Sequence, residues 1–142
     1  MVIVAAVDRS ERASNVVREA SELGEAFGVP VKVVHVLTQK KFVSLERTSV
    51  SDTGQTIPTN EVIELAEELA AETIEEVGVE AEPVGLLGDP ADEVVDYAHS
   101  NDAKYIVVSG RKQSPVGKAL FGSVVQSVLL SAECPVVSLR TD

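Results

Sequence analysis

The stretch "YIVVSGRKQSPVGKALFGSVVQSVLLSAECPVVSL", Tyr105 to Leu139, decides the fold. A short β-branched run leads into a glycine-bearing connection, then into apolar positions at helical spacing (Val124, Val125, Val128, Leu129), then into a second β-branched run. Working outward, the same alternation fills the rest of the chain. The apolar runs are "VIVAAV" (2–7), "VKVVHV" (31–36), "EPVGLL" (82–87), "YIVV" (105–108) and "VVSL" (136–139). Between them, Ala13, Val16, Val17, Ala20, Leu23 and Phe27 make one helical face and Val62, Ala66, Leu69 and Val77 another, with Ala91, Val94, Val95 and Ala98 a third. Strand–helix alternation repeated in this way predicts a parallel sheet covered on both faces, in one α/β domain. Near-continuous Val/Ile runs are what a doubly covered strand requires. Pro83 cannot donate to a ladder, so its run belongs at a sheet edge.

Start signals agree with this division. Ser10 is a cap for the first helix and Thr59 or Asn60, after Pro58, for the second; Asp89 followed by Pro90 caps the third. The segment 38–58, "TQKKFVSLERTSVSDTGQTIP", is polar and aperiodic and reads as a long mobile loop, a candidate lid.

The totals exclude several classes. The chain has 142 residues, with 23 acids against 12 bases and a formal charge of −11. Such a surface argues against general affinity for nucleic acid or anionic membrane. It fits a protein kept soluble in high salt and an ordinary acidic protein equally. Met1 runs directly into a strand pattern and no apolar run approaches ~18 residues, so neither a signal peptide nor a membrane span is expected, and the location expected is cytoplasmic. The single cysteine, Cys134, precludes an internal disulfide and reads as an inert core residue. His35, inside an apolar run, reads as a core histidine, and His99 as a partner for the negative end of its helix. No His/Asp/Glu cluster has metal-ligand spacing, and no nucleophile–base–orienter set can be assembled.

The connection Gly110–Ser123 stands out. From Ala103 to Ala132 there is no acid, while Lys104, Arg111, Lys112 and Lys118 supply +4. Gly110 permits a sharp turn and a close approach to a ligand, and Gly122 and Ser123 precede a helical pattern whose free N–H groups favour phosphate. The pattern is not a P-loop, because six residues separate Gly110 from Gly117 and the hydroxyl after Lys118 is missing. Nor does a dinucleotide glycine fingerprint follow the first strand, where "AVDRS" stands instead. In an open α/β sheet, ligands bind beyond the carboxyl ends of strands where strand order reverses. Asp8 lies at one such end, either as a turn residue or as an acceptor for an adenine amino group or a ribose hydroxyl. A phospho-receiver domain shares the alternation but wants paired acids after the first strand, where Asp8 is alone.

With these residues in place, the chain resembles the universal stress protein family (the UspA-like domain) over essentially its whole length. "VAAVDRSERAS", "VKVVHVL", "GDPADEVVDYA" and the Tyr105–Leu139 stretch carry the likeness. The resemblance implies a doubly wound five-stranded parallel sheet of order 3-2-1-4-5. It implies a homodimer paired through the last strand, about residues 136–140, and a stress-response regulator acting as a dimeric sensor, with a further protein partner. One branch of the family binds ATP, with magnesium as a possible companion, through a loop of form Gly-x2-Gly-x9-Gly-Ser/Thr; another branch lacks the loop and works as a nucleotide-free interaction module. Here Gly110, Gly122 and Ser123 match the outer positions, Gln113 stands at the second glycine, and eight residues replace nine. Carried over by position, Ala6, Val7 and Asp8 line the adenine and ribose side and Val36 packs on the base. Ser109 and Gly110 follow the ribose and first phosphates, with Arg111 and Gln113 beyond, and Gly122, Ser123 and Val124 hold the phosphate chain.

Overall fold

The computed structural model describes residues 1–110 and 122–140. Ten elements follow in order: β1 (Val2–Val7), α1 (Ala13–Phe27), β2 (Val31–Leu37), α2 (Gln39–Thr53), α3 (Thr59–Val77), β3 (Glu82–Leu87), α4 (Pro90–Ser100), β4 (Ala103–Ser109), α5 (Ser123–Ser131) and β5 (Val136–Leu139). All four strand pairings are parallel, and the sheet order is β3-β2-β1-β4-β5. The fold expected from the alternation is therefore the one formed, with β3 and its Pro83 at an edge, pairing only with β2.

Side chains alternate across the pleat and divide the core in two. Ile3, Ala5 and Val7 of β1 join Val33 and Val107 beneath Val16, Val17 and Ala20 of α1 and Ala70 and Ile74 of α3. Val2 and Val4 point the other way, with Val34, Ile106 and Val108, beneath Ala91, Val94 and Ala98 of α4 and Val125 and Val128 of α5. Ile3, Val4 and Ala5 are wholly removed from solvent. Each such Val or Ile contributes about 1.5–3 kcal/mol, which makes β1 the anchor of both layers.

Three local expectations are corrected. The segment 38–58 is not an irregular loop: it forms the helix Gln39–Thr53, with the Thr38 side chain accepting from the Lys41 N–H at 3.1 Å and Gly54 closing it in the left-handed conformation. No residue of this helix is buried, so it leaves no apolar period for a reader of sequence to find. Helix α1 begins at Ala13, with Arg12 at the cap position instead of Ser10: Ser10 donates to Asp8, and its hydroxyl oxygen accepts from the Arg12 N–H at 3.3 Å, in the turn ahead of the helix. Helix α3 begins directly after Pro58, so Thr59 is already its first helical residue and neither Thr59 nor Asn60 caps it. Asp89 does cap α4 as expected, accepting from the Asp92 N–H at 3.0 Å with Pro90 at the first position.

Candidate functional site

Strand order reverses between β1 and β4, and their carboxyl ends open on a cavity of about 250 Å³. Its walls come from three strand ends and two helix starts: Ala6, Val7 and Asp8 of β1 and its turn, Val34, His35, Val36 and Thr38 of β2 and its end, Val108 and Ser109 of β4, Pro90 and Val94 of α4, and Val124 and Val125 of α5, with Ala13 of α1 behind Asp8. The interior is lined mainly by aliphatic methyls, while Asp8, His35, Thr38 and Ser109 supply the polar groups. A mainly apolar hollow with a few placed polar groups is the usual form of a small-molecule site.

Sequence reading had named Ala6, Val7, Asp8, Val36, Ser109 and Val124, and all six line this cavity. Gly110, Gly122 and Ser123 do not line it but are the chain neighbours of Ser109 and Val124. Gly110 is held against the sheet edge, its N–H donating to the Leu139 carbonyl at 2.8 Å. Gly122 takes the cap position of α5 without a side chain to offer, and its carbonyl accepts from the Gln126 N–H at 3.0 Å. Arg111 and Gln113, together with Lys112, Gly117 and Lys118, lie outside the described residues. Thr38, Pro90 and Val94 were missed, as were Ala13, Val34, His35, Val108 and Val125. Pro90 had been read only as a helix-start residue and Val94 only as core. Applying the strand-end rule to β2 as well as to β1 and β4 would have found Thr38.

Asp8 forms the turn read from sequence and also lines the cavity. Its Oδ1 accepts the Ser10 N–H at 2.9 Å and the Ser10 hydroxyl, while Oδ2 stands 3.6 Å from the Arg12 guanidinium. Burial pushes its pKa up, but the Ser10 hydrogen bonds and the Arg12 charge outweigh this, and the carboxyl lies below its ordinary value. It is a carboxylate at neutral pH, with Oδ2 as its less occupied oxygen. His35 is buried, as expected of a core histidine, and its Nδ1 donates to the Val7 carbonyl at 3.1 Å. Burial pulls its pKa down, with the Val7 hydrogen bond and Asp8 opposing. A neutral ring then carries its proton on Nδ1.

The remaining candidates lie at the other end of the sheet. His99 Nδ1 is 2.6 Å from the Glu133 carboxylate, and both side chains are exposed. Cys134 beside them is half-buried, and burial raises its thiol pKa, in keeping with an unreactive thiol. Among the described residues no helix is long and apolar enough to cross a membrane.

A five-stranded sheet of this order, with a crevice at its reversal point, defines a doubly wound α/β domain. A family model described as the Universal stress protein family matches residues 1–140, and the chain belongs to that family. Among solved structures it is similar to a universal stress protein from Archaeoglobus fulgidus, with 37% identity, 97% of each chain covered and a TM-score of 0.62. A structure of the universal stress protein from Archaeoglobus fulgidus in complex with dAMP gives 33% identity over 97% of this chain and 96% of that one, with a TM-score of 0.65. A curated universal stress protein of Methanocaldococcus jannaschii is 26% identical over 97% of this chain and 81% of its own length.

Proposed function

We propose that the chain is a cytoplasmic stress-response regulator that binds an adenine nucleotide in the crevice at the ends of β1, β2 and β4, and acts as a homodimeric sensor. The observation that carries the reading is the cavity itself. At about 250 Å³ it falls just below the ~300–1,000 Å³ of pockets that enclose a whole ligand, so it suits the base and part of the sugar. Methyl groups of Ala6, Val36, Val108 and Val124 offer the apolar surface a purine needs, and Asp8 and Thr38 the polar partners for its edge or for the ribose. The phosphates then run past Ser109 and Gly110 toward the first turn of α5, where Gly122, Ser123 and Val124 present N–H groups and the positive end of the helix. The similar Archaeoglobus protein bound to dAMP supports an adenine ligand.

ATP is the nucleotide proposed, with Arg111 and Gln113 in the loop beyond Gly110. A magnesium ion would be held chiefly by the phosphates, since among the described residues no three His, Cys, Asp or Glu side chains gather to hold one. The homodimer is proposed through β5, about residues 136–140: β5 pairs only with β4 among the described strands, and an unpaired strand edge is a template for another chain. A second reading, a nucleotide-free interaction module with a protein partner, is favoured by one feature. Gln113, a residue with a Cβ, stands in the sequence where the ATP-binding loop pattern that the chain resembles has its second glycine.

Calorimetric titration of the purified chain with magnesium–ATP and with AMP, beside chromatography of any nucleotide released on denaturation, separates the two. Saturable binding of one nucleotide per chain is expected. No released nucleotide and no heat from either titrant would leave the interaction module as the function.

A further inference from the structure

Thr38 belongs to two structures at once. It lines the cavity, and it is the cap of α2, its Oγ1 accepting from the Lys41 N–H at 3.1 Å. That bond uses a lone pair of the oxygen, so the same hydroxyl can donate its hydrogen into the cavity without giving up the cap. A hydroxyl that donates also becomes a better acceptor, because linked hydrogen bonds polarise one another.

The helix it caps is the least anchored of the five. No residue of α2 is buried, whereas α1, α3, α4 and α5 each bury two or more. Its hold on the body is Phe42, which rests on a small cluster of Leu37, Val62 and Ala66. Fifteen residues without deep packing sit near the margin at which an isolated helix persists in water, so the state of its first turn matters. The outward face carries Val43 and Val50, 45% and 46% exposed, with Lys40 and Arg47 at helical spacing beside them.

We propose that Thr38 is a ligand-contacting residue that couples occupancy of the cavity to the order of α2. This rests on the nucleotide reading above and deepens it. The Thr38 hydroxyl donates to a ring nitrogen or sugar oxygen of the bound nucleotide, and its oxygen then caps α2 more firmly. The bound chain presents an ordered helix with Val43, Val50, Lys40 and Arg47 displayed in one stripe, and the empty chain a frayed one. Coupling of this kind is reciprocal: whatever factor the ligand adds to the helix, the formed helix adds to the affinity.

Hydrogen exchange of the α2 amides 42–50, measured with and without saturating AMP, tests the coupling in the wild-type chain and three variants. In the wild type and in Thr38→Ser, which keeps both roles, AMP is expected to slow exchange several-fold. Thr38→Val loses both roles; its α2 should exchange fast throughout and its AMP affinity fall by about fivefold. Thr38→Asp keeps a strong cap but has no hydrogen to donate. Its α2 should be protected before AMP is added, and AMP should bind more weakly and add no protection. Wild-type chain that binds AMP with unchanged α2 exchange overturns the coupling and leaves the site standing. Wild-type chain that binds no AMP overturns the site, and the coupling with it.

Discussion

The Asp8 carboxylate uses its two oxygens differently: Oδ1 closes the turn onto Ser10, and Oδ2 faces Arg12. A residue read from sequence as either a turn former or a ligand group forms the turn and lines the cavity. His35, one strand away, is buried, and its lowered pKa has a consequence for stability. The unfolded chain takes up a proton near the ordinary histidine pKa of 6.5, while the buried ring resists it. Stability is therefore whole above about pH 6.5 and declines as pH falls from there through the folded-state pKa, by at most about 1.4 kcal/mol per pH unit. Urea midpoints at pH 7.5 and pH 5.0 should show this loss in the wild type and a smaller one in His35→Gln. Equal losses in the two chains would show that His35 does not govern the slope.

Among the elements, β3 and α3 approach closely at Gly85. A Cβ there would lie 2.2 Å from the Ile63 carbonyl oxygen and 2.5 Å from the Glu67 nitrogen, both backbone atoms of the helix. Neither can step aside without moving α3, so Gly85→Ala is expected to destabilise the chain by about 2–3 kcal/mol, read as a lowered Tm. An unchanged Tm would mean that the edge strand is free to shift away from the helix. The contrast between α3 and α2 shows what a sequence reveals. Helix α3 sinks Val62, Ala66, Ala70 and Ile74 into the core, and its apolar period announced it even though the face read from sequence had the half-buried Leu69 and Val77 in place of Ala70 and Ile74. Helix α2 rests on Phe42 and is made instead by its caps, Thr38 and Gly54, which look from sequence like ordinary loop residues. The start of α1 was misplaced because the Ser10 oxygen accepts from the Arg12 N–H at 3.3 Å, in the turn ahead of the helix, and from no helical N–H. The strand-end rule made Asp8 legible, and the family resemblance added Ala6, Val7, Val36, Ser109 and Val124 by position. Pro90 and Val94 were not legible, because their local roles in the start and packing of α4 explained them already.

At the scale of the whole molecule, charge and association pull against each other. A chain of −11 repels its copies, and pairing must be driven by apolar area and strand-edge hydrogen bonds. Val137 and Leu139 of β5 are half-buried against the α1-side core. If the proposed β5 pairing holds, Val137→Lys should convert a dimer to a monomer by light scattering, with the far-ultraviolet circular dichroism retained. A dimer that survives the substitution would place the interface elsewhere. The central claim, that an adenine base sits in the crevice between β1, β2 and β4, is tested most directly by methyl NMR of the chain titrated with AMP. Ring-current shifts at the methyls of Ala6, Val36, Val108 and Val124, with those of Leu129 and Leu130 unmoved, are the expected result. Saturable binding that leaves the four cavity methyls in place would contradict it.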